Sequence, residues 1–123
     1  MDLSKRILVV EDNQIQLVVC TTQLKELGFE KISIAKNGVR AYAILEKGLI
    51  DLVLSDLEMP EMDGLELLKK VKENPSLQNI PFIILSARDD EKIYDEIKSL
   101  GADDFIVKPG TAEVFTEKLS KLI

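Results

Sequence analysis

Five short apolar segments alternate with five helix-periodic segments along the whole chain. The apolar segments have the length of strands and lie at residues 6–10, 31–35, 51–55, 82–85 and 104–107. Between them, apolar residues recur at helical spacing, and turn residues follow most of these stretches. Regular alternation of strand and helix predicts a parallel sheet with right-handed crossovers and with helices on both faces.

The second predicted strand differs from the other four. Residues 31–35 (KISIA) alternate polar and apolar side chains, whereas 6–10 (RILVV) and 82–85 (FIIL) are almost continuously apolar. Continuous apolar strands are typical of the buried middle of a parallel sheet, so the alternating strand belongs at an edge. The pattern favours an α/β, doubly wound fold with strand order 2-1-3-4-5 over a closed barrel, which needs a longer chain.

Turn and capping residues mark several boundaries. Gly28 is predicted to end the first helix and Pro75 the third, because proline cannot continue the hydrogen-bond ladder. Pro60 and the pair Asp63-Gly64 mark a turn after the third strand, and Thr111 is the predicted N-cap of the last helix. With no repeat or linker, we expect residues 1–123 to form one domain, which could stand alone or belong to a larger protein.

The composition limits the classes of function. A chain of 123 residues with 46% hydrophobic and 31% charged residues is long enough to bury a core. A net charge of −6 argues against direct nucleic-acid binding, and no apolar run is long enough to cross a membrane. The single cysteine cannot form an internal disulfide, so we expect a cytoplasmic protein. The lack of histidine leaves carboxylates as metal ligands, and these favour hard cations such as Mg²⁺.

Reactive polar residues follow four of the five predicted strands. They are Glu11 and Asp12 after the first strand, Asp56 after the third, Ser86 after the fourth and Lys108 after the fifth. The carboxyl ends of parallel strands meet at one edge of the sheet, so three carboxylates would converge on a single lysine. A cation such as Mg²⁺ would relieve their repulsion. A carboxylate nucleophile beside a metal, a lysine and a hydroxyl is the set that phosphoryl transfer requires.

Each of these residues alone has a simpler interpretation. Asp12 could be the N-cap of the first helix, Ser86 a cap or turn residue, Lys108 a solvated surface residue and Asp56 a loop residue. Cys20 is predicted to be a packing residue. The simpler interpretations do not explain why four strands place these residue types at one edge, and the combined site is therefore preferred.

Four sequence motifs in a fixed order carry a family resemblance. They are residues 9–13 (VVEDN), 55–64 (SDLEMPEMDG), 83–87 (IILSA) and 101–109 (GADDFIVKP). With these motifs the chain resembles the receiver domain of bacterial two-component response regulators over nearly its whole length, and in particular the single-domain chemotaxis regulators. The resemblance implies a flavodoxin-like (βα)5 fold with a five-stranded parallel sheet. It also implies a phosphoprotein that acts as a phosphorylation-dependent switch in phosphorelay signal transduction.

The resemblance also implies roles for the residues at the sheet edge. Asp56 would accept a phosphoryl group from a sensor histidine kinase or phosphotransfer protein; this donor must be external because the chain has no histidine. Asp12, Asp56 and the backbone carbonyl of Glu58 would ligate Mg²⁺, for which Mn²⁺ could substitute, while Glu11 would act through water. Lys108 would contact a phosphoryl oxygen. The chain would assist its own phosphorylation and the hydrolysis of its acyl phosphate without being an enzyme for other substrates.

The resemblance further implies a switch and a signalling face. Ser86 would hydrogen-bond the phosphoryl group and draw its loop inward, and Phe105 would rotate toward the vacated space. The fourth helix, fifth strand and fifth helix would then bind a downstream effector, with Tyr94, Lys98, Phe105 and Val107 as candidate contacts. Ordinary partial burial of Tyr94 is the alternative interpretation. Both a monomer and a weak dimer are compatible with the sequence.

Three positions call for separate hypotheses. Glu58 and Arg88 occupy the two variable positions that tune acyl-phosphate lifetime in this family; we hypothesise that their opposite charges shield the phosphoryl group and slow its hydrolysis. Gly110 stands where relatives often carry a bulky apolar residue, and we expect it to loosen the start of the last helix. The apolar run 17–20 is wider than one buried face needs, so Val18 is a candidate for a kinase-docking patch.

Three other functions compete with this interpretation. An aspartyl-phosphate phosphatase of the haloacid-dehalogenase type also uses a strand-end aspartate, but it carries a second aspartate two residues later, where this chain has Glu58. A flavodoxin-like cofactor binder needs a glycine- and hydroxyl-rich loop after the first strand, where this chain has Glu11 and Asp12. A degenerate receiver that only binds other proteins would lack site residues, and here each expected one is present.

Overall fold

The computed structural model describes residues 1–59 and 61–123. Pro60, predicted to mark a turn, lies outside the described residues. The strands and helices alternate as predicted. The strands are β1 Ile7–Val10, β2 Ile32–Ala35, β3 Leu52–Asp56, β4 Phe82–Ser86 and β5 Asp104–Val107. The helices are α1 Gln14–Leu27, α2 Gly38–Glu46, α3 Gly64–Glu73, α4 Glu91–Ser99 and α5 Ala112–Ser120.

The five strands form one parallel sheet in the order β2-β1-β3-β4-β5. In the middle of the sheet, Ile7 of β1 lies opposite Ile32 of β2 on one side and Leu52 of β3 on the other. The predicted edge position of the alternating strand is confirmed, and Ile34 on β2 is half exposed. The predicted flavodoxin-like, doubly wound α/β fold is also confirmed.

Two apolar cores cover the two faces of the sheet. On one face, β1, β3, β4 and β5 pack against α2, α3 and α4, and the buried side chains include Leu8, Ile84 and Phe105. On the other face the same strands pack against α1 and α5, where Cys20 and Phe115 are buried. Burial on both faces explains why the central strands are continuously apolar. No described helix is long and apolar enough to cross a membrane.

Each of the five described helices begins at a polar side chain that accepts a hydrogen bond from the backbone N–H three residues later. These N-caps are Asn13, Asn37, Asp63, Asp90 and Thr111. The predicted cap Thr111 is confirmed, whereas the interpretation of Asp12 as a cap is wrong, because the next residue, Asn13, takes that role. Gly28 ends α1 in a left-handed conformation, with φ of 111°, as its position predicted.

Candidate functional site

The carboxyl ends of four strands bring the predicted residues to one edge of the sheet. Glu11 and Asp12 directly follow β1, Asp56 and Ser86 are the last residues of β3 and β4, and Lys108 directly follows β5. All five line one open cavity of about 290 Å³. The other residues around this cavity include Asn13, Gln16, Leu57, Glu58, Ala87 and Arg88. The sheet topology alone therefore assembles the predicted constellation.

Three carboxylates form a compact cluster within this cavity. Glu11, Asp12 and Asp56 each offer an oxygen, and these oxygens lie within 4.8 Å of one another. Glu11 and Asp56 are buried, whereas Asp12 is exposed at the mouth. An all-oxygen set with an open side toward solvent fits a hard divalent cation that keeps several waters, as Mg²⁺ does. The residues present therefore fit the predicted metal.

Lys108 is an interior residue of the site and not a solvated surface lysine. Its Nζ lies 2.6 Å from Oε2 of Glu11 and 2.9 Å from Oδ1 of Asp56, and 15% of its side chain is exposed. Its backbone N–H donates to the carbonyl of Ser86 at 2.8 Å, which fixes the chain where it leaves the sheet. One ammonium group thus joins the ends of β1, β3 and β5.

Burial dominates the electrostatics of the cluster. Burial raises the pKa of Glu11 and of Asp56 above the ordinary carboxyl values, and the hydrogen bonds from Lys108 only partly offset this. Burial opposes the charged form of Lys108 too, but its hydrogen bonds to Glu11 and Asp56 outweigh that effect and raise its pKa. Three carboxylates beside one ammonium leave an excess of negative charge, which would favour a further cation.

The backbone around Asp56 is held closely. The N–H of Leu57 donates to Oδ1 of Asp56 at 2.9 Å, and the hydroxyl of Ser55 donates to the Asp56 carbonyl at 3.0 Å. Gly64 begins α3 directly against that carbonyl, where a Cβ atom would overlap the oxygen. Its N–H donates to the Leu57 carbonyl at 2.8 Å. These contacts fix the position of the Asp56 carboxylate at the mouth of the cavity.

Ser86 and Arg88 belong to one turn after β4. The Ser86 hydroxyl oxygen accepts a hydrogen bond from the Arg88 backbone N–H at 3.0 Å, so its own proton remains available to a ligand. The Arg88 guanidinium lies 3.3 Å from Asp90, the N-cap of α4. Glu58 and Arg88 both line the cavity as the tuning hypothesis requires, but Arg88 pairs with Asp90 and not with Glu58.

Phe105 is buried beneath α4 and is not a surface contact in this conformation. Its ring centroid lies 4.6 Å from that of Tyr94, with the rings tilted by 56°. The partly buried Tyr94 ring lies 5.9 Å from the Lys98 ammonium, and Val107 is exposed on the neighbouring strand. Of the four candidate contacts, Tyr94, Lys98 and Val107 therefore reach the surface, while Phe105 supports Tyr94 from below.

Four residues of the cavity wall were not among the predicted site residues: Asn13, Gln16, Leu57 and Ala87. Asn13 caps α1 through Gln16, and its backbone N–H donates to Glu11 at 3.3 Å, so it orients the end of β1. Its position directly before a helical segment was a usable signal, since asparagine ranks with aspartate as an N-cap. Cys20 lies behind the site, and burial raises the pKa of its thiol to about 12, which fits its predicted packing role.

Comparisons with known proteins agree with this geometry. Residues 7–120 match the family described as the response regulator receiver domain. The chain is 32% identical to the chemotaxis protein CheY-3 of Vibrio cholerae over 122 residues, which cover 99% of this chain and 94% of that one. It superimposes with a TM-score of 0.87 and 35% identity on the signal receiver domain of a signal transduction histidine kinase from Syntrophus aciditrophicus, covering 97% of this chain and 89% of the other. The phosphorylated cyanobacterial phytochrome response regulator RcpA gives a TM-score of 0.82 at 26% identity, with 96% and 91% coverage.

Proposed function

The chain belongs to the family of response regulator receiver domains, and from this premise we propose that Asp56 is the phosphoacceptor of a phosphorylation-dependent signalling switch. The observation that carries the proposal is the position of Asp56 at the end of β3. There its carboxylate lies within the acidic cluster and 2.9 Å from the Lys108 ammonium. A fixed carboxylate beside a cation and a free hydroxyl proton matches what a phosphoryl acceptor requires.

In the proposed reaction, a carboxylate oxygen of Asp56 attacks the phosphorus atom of an external phosphohistidine. The new P–O bond forms as the P–N bond breaks, and the electron pair of that bond stays with the leaving imidazole, which takes a proton. The product is an acyl phosphate on Asp56. Hydrolysis by water later returns the carboxylate and releases inorganic phosphate.

The neighbouring residues would stabilise the transferred group. Lys108 now bonds both Glu11 and Asp56, and it would direct its ammonium toward a phosphoryl oxygen after transfer. The Ser86 hydroxyl would donate to another phosphoryl oxygen, since its proton is not engaged by the Arg88 backbone. A bound Mg²⁺ would neutralise charge on the phosphoryl oxygens.

The metal ligands proposed for this chain are Asp12, Asp56 and the backbone carbonyl of Glu58, with Glu11 acting through water. The clustering of the three carboxylates supports this set, and the position of Glu58 on the cavity wall is compatible with it. Mn²⁺ has the same preference for oxygen ligands and is the proposed substitute.

Phosphorylation would alter the face formed by α4, β5 and α5, which is the proposed effector surface. Ser86 lies at the start of the loop that leads to α4, and Phe105 packs under Tyr94 of that helix. Movement of Ser86 toward a phosphoryl group would therefore change the support of Tyr94. The proposed partners are a sensor kinase or phosphotransfer protein and a protein effector in the cytoplasm, with no nucleic acid or membrane contact.

Intact mass spectrometry tests the assignment of Asp56. The protein is incubated with acetyl phosphate and Mg²⁺, and we expect a single phosphoryl adduct that is absent from Asp56→Asn and absent when EDTA removes the metal. Asp95→Asn is the matched control, because Asp95 is an exposed aspartate on α4, outside the acidic cluster. An adduct that persists in Asp56→Asn would show that another residue is the acceptor.

A further inference from the structure

The loop between β5 and α5 is tied to α1 by one side-chain hydrogen bond. Nε2 of Gln23 donates to the backbone carbonyl of Gly110 at 2.6 Å, joining residues 87 positions apart in the chain. Gly110 lies two residues after Lys108 and directly before Thr111, the N-cap of α5. Within the described part of the chain, this is the one side-chain hydrogen bond between α1 and that loop.

Among the described residues, few other hydrogen bonds hold the loop between Lys108 and α5. Pro109 has no N–H to donate, and glycine is the residue with the greatest conformational freedom. Gly110 nevertheless packs closely, since a Cβ there would lie 2.6 Å from the Phe115 ring and 2.9 Å from the Ile106 side chain. Glycine at this position lets the loop pack against the core, with its carbonyl accepting from Gln23, and the expected loosening of the start of α5 stays a prediction.

The backbone that carries Lys108 is thus fixed at two points. On the sheet side, the Lys108 N–H donates to Ser86, and on the α1 side, Gly110 accepts from Gln23. The Lys108 side chain extends from between these points and places its ammonium on Glu11 and Asp56. A lysine ammonium is carried on a four-carbon stem, so it reaches both oxygens only while its backbone lies within that distance of them.

We propose that Gln23 is a positioning residue for phosphoryl transfer, which holds the Lys108 loop through Gly110 so that the Lys108 ammonium reaches Asp56. This inference rests on the proposed role of Lys108 at the phosphoryl group. Small displacements of a group in the reaction site can lower rates strongly. We expect loss of the Gln23 donor to slow phosphorylation of Asp56 by about threefold to tenfold.

A simple packing role for Gln23 makes a different prediction. Loosening of the whole site would weaken both phosphorylation and metal binding. Displacement of Lys108 alone would slow phosphorylation but leave Mg²⁺ binding unchanged or tighter, because it withdraws a positive charge from Glu11 and Asp56. Under the proposal the phosphorylation rate falls while the Mg²⁺ affinity is unchanged or higher, and under the alternative both fall.

The test uses two variants that lose the donor in different ways. Gln23→Leu removes both polar atoms, and Gln23→Glu keeps the shape of the side chain while removing its N–H groups. Gln14→Leu is the matched control on the same helix, where Gln14 is exposed. Urea unfolding first establishes that every variant is folded. The initial rate of phosphorylation by acetyl phosphate is then measured by intact mass, and the Mg²⁺ dissociation constant by calorimetry.

A second arm repeats Gln23→Leu in a Lys108→Met background. If Gln23 acts through Lys108, its effect on the phosphorylation rate disappears there, because coupled residues are not additive. Wild-type rates in both Gln23 variants, a parallel loss of Mg²⁺ binding, or an undiminished effect in the Lys108→Met background would each overturn the inference. If Lys108→Met alone leaves the rate unchanged, the proposed role of Lys108 fails first, and the inference with it.

Discussion

Replacement of Lys108 by methionine should destabilise the protein strongly in the absence of metal. Methionine keeps most of the length of the side chain but removes the one ammonium that contacts Glu11 and Asp56, at 2.6 and 2.9 Å. The side chains of the two carboxylates are only 3% and 12% exposed, so water cannot replace the lost partner fully. Breaking a buried ion pair on one side costs about 3–5 kcal/mol, and the open mouth of the cavity favours the lower end of that range.

A loss of about 3 kcal/mol is easily measured by urea unfolding. With a slope of about 2 kcal/mol per molar urea, the midpoint in EDTA at pH 8 falls by about 1.5 M. The control is Lys121→Met, whose exposed pair with Glu117 at 3.6 Å should contribute less than about 1 kcal/mol. Equal midpoints for the two variants would refute the reasoning from burial.

The pH dependence gives a second check with a definite sign. Hydrogen bonds from Lys108 lower the pKa of Glu11 and of Asp56 against the larger raising effect of burial, so in Lys108→Met both pKa values rise further. A folded state with raised carboxyl pKa values binds more protons than the unfolded state, and its stability therefore increases as the pH falls. The deficit relative to wild type should shrink from pH 8 to pH 5. If the stability deficit of Lys108→Met grew from pH 8 to pH 5, Lys108 would not be the group that lowers the pKa values of Glu11 and Asp56.

Magnesium should also reduce the deficit. A cation that binds only the folded protein stabilises it, and each tenfold gain in affinity adds about 1.4 kcal/mol at a saturating concentration. Without the Lys108 ammonium, repulsion between the site and Mg²⁺ is smaller, so the variant should bind the ion more tightly than wild type. The midpoints of variant and wild type should approach each other in Mg²⁺, and midpoints that separate further would show that Lys108 does not compete with the metal.

Three further substitutions test other parts of the site. Gly64→Ala places a Cβ against the Asp56 carbonyl and should lower the unfolding free energy by about 1–3 kcal/mol; an unchanged urea midpoint would mean that α3 can shift without cost. Arg88→Ala should speed decay of the acyl phosphate several-fold, measured by intact mass, with little change in stability because 49% of its side chain is exposed; an unchanged decay rate would reject the shielding hypothesis. Val18→Lys changes a residue that is 52% exposed on α1, so phosphotransfer from the cognate kinase should slow while the rate with acetyl phosphate stays constant; equal kinase rates would remove Val18 from the docking patch.

The fold could be predicted closely because its signals are local and repeated. Continuous apolar strands, one alternating strand and regular chain reversals are enough to fix a parallel sheet and its edge. Helix boundaries were predictable where the residue type itself suits a helix end. Gly28 adopts the left-handed conformation that ends α1, and the Thr111 side chain accepts a backbone N–H at the start of α5. The sequence does not identify the cap of α1, because Asp12 and Asn13 are adjacent and have nearly equal capping preference. The hydrogen bond from the Gln16 N–H to the Asn13 side chain identifies the cap in the structure.

The sequence predicts which residues form the site better than it predicts which of their atoms are in contact. Topology brings Glu11, Asp56 and Lys108 to one edge, but which oxygens the ammonium contacts depends on side-chain geometry. The ion pair between Arg88 and Asp90 illustrates the same limit, since the positions of these two residues in the sequence do not predict that their side chains meet. The hydrogen bond between Gln23 and Gly110 joins distant parts of the chain, and no local sequence pattern predicts it.

The charge balance of the site links its stability to its function. Three carboxylates and one ammonium leave a formal charge of −2 within a few ångströms, and conversion of the Asp56 carboxylate to an acyl phosphate makes the balance more negative. A divalent cation offsets the initial excess, but the added charge of the phosphoryl group remains to be neutralised. Among the described residues of the cavity wall, Arg88 is the cationic side chain other than Lys108. An exposed ion pair with Asp90, which is easily broken, holds it at the N-cap of α4. The lifetime of the acyl phosphate and the position of α4 should therefore depend on the same arginine, so Arg88→Ala is the substitution that most directly connects the chemistry of the site to the signalling face.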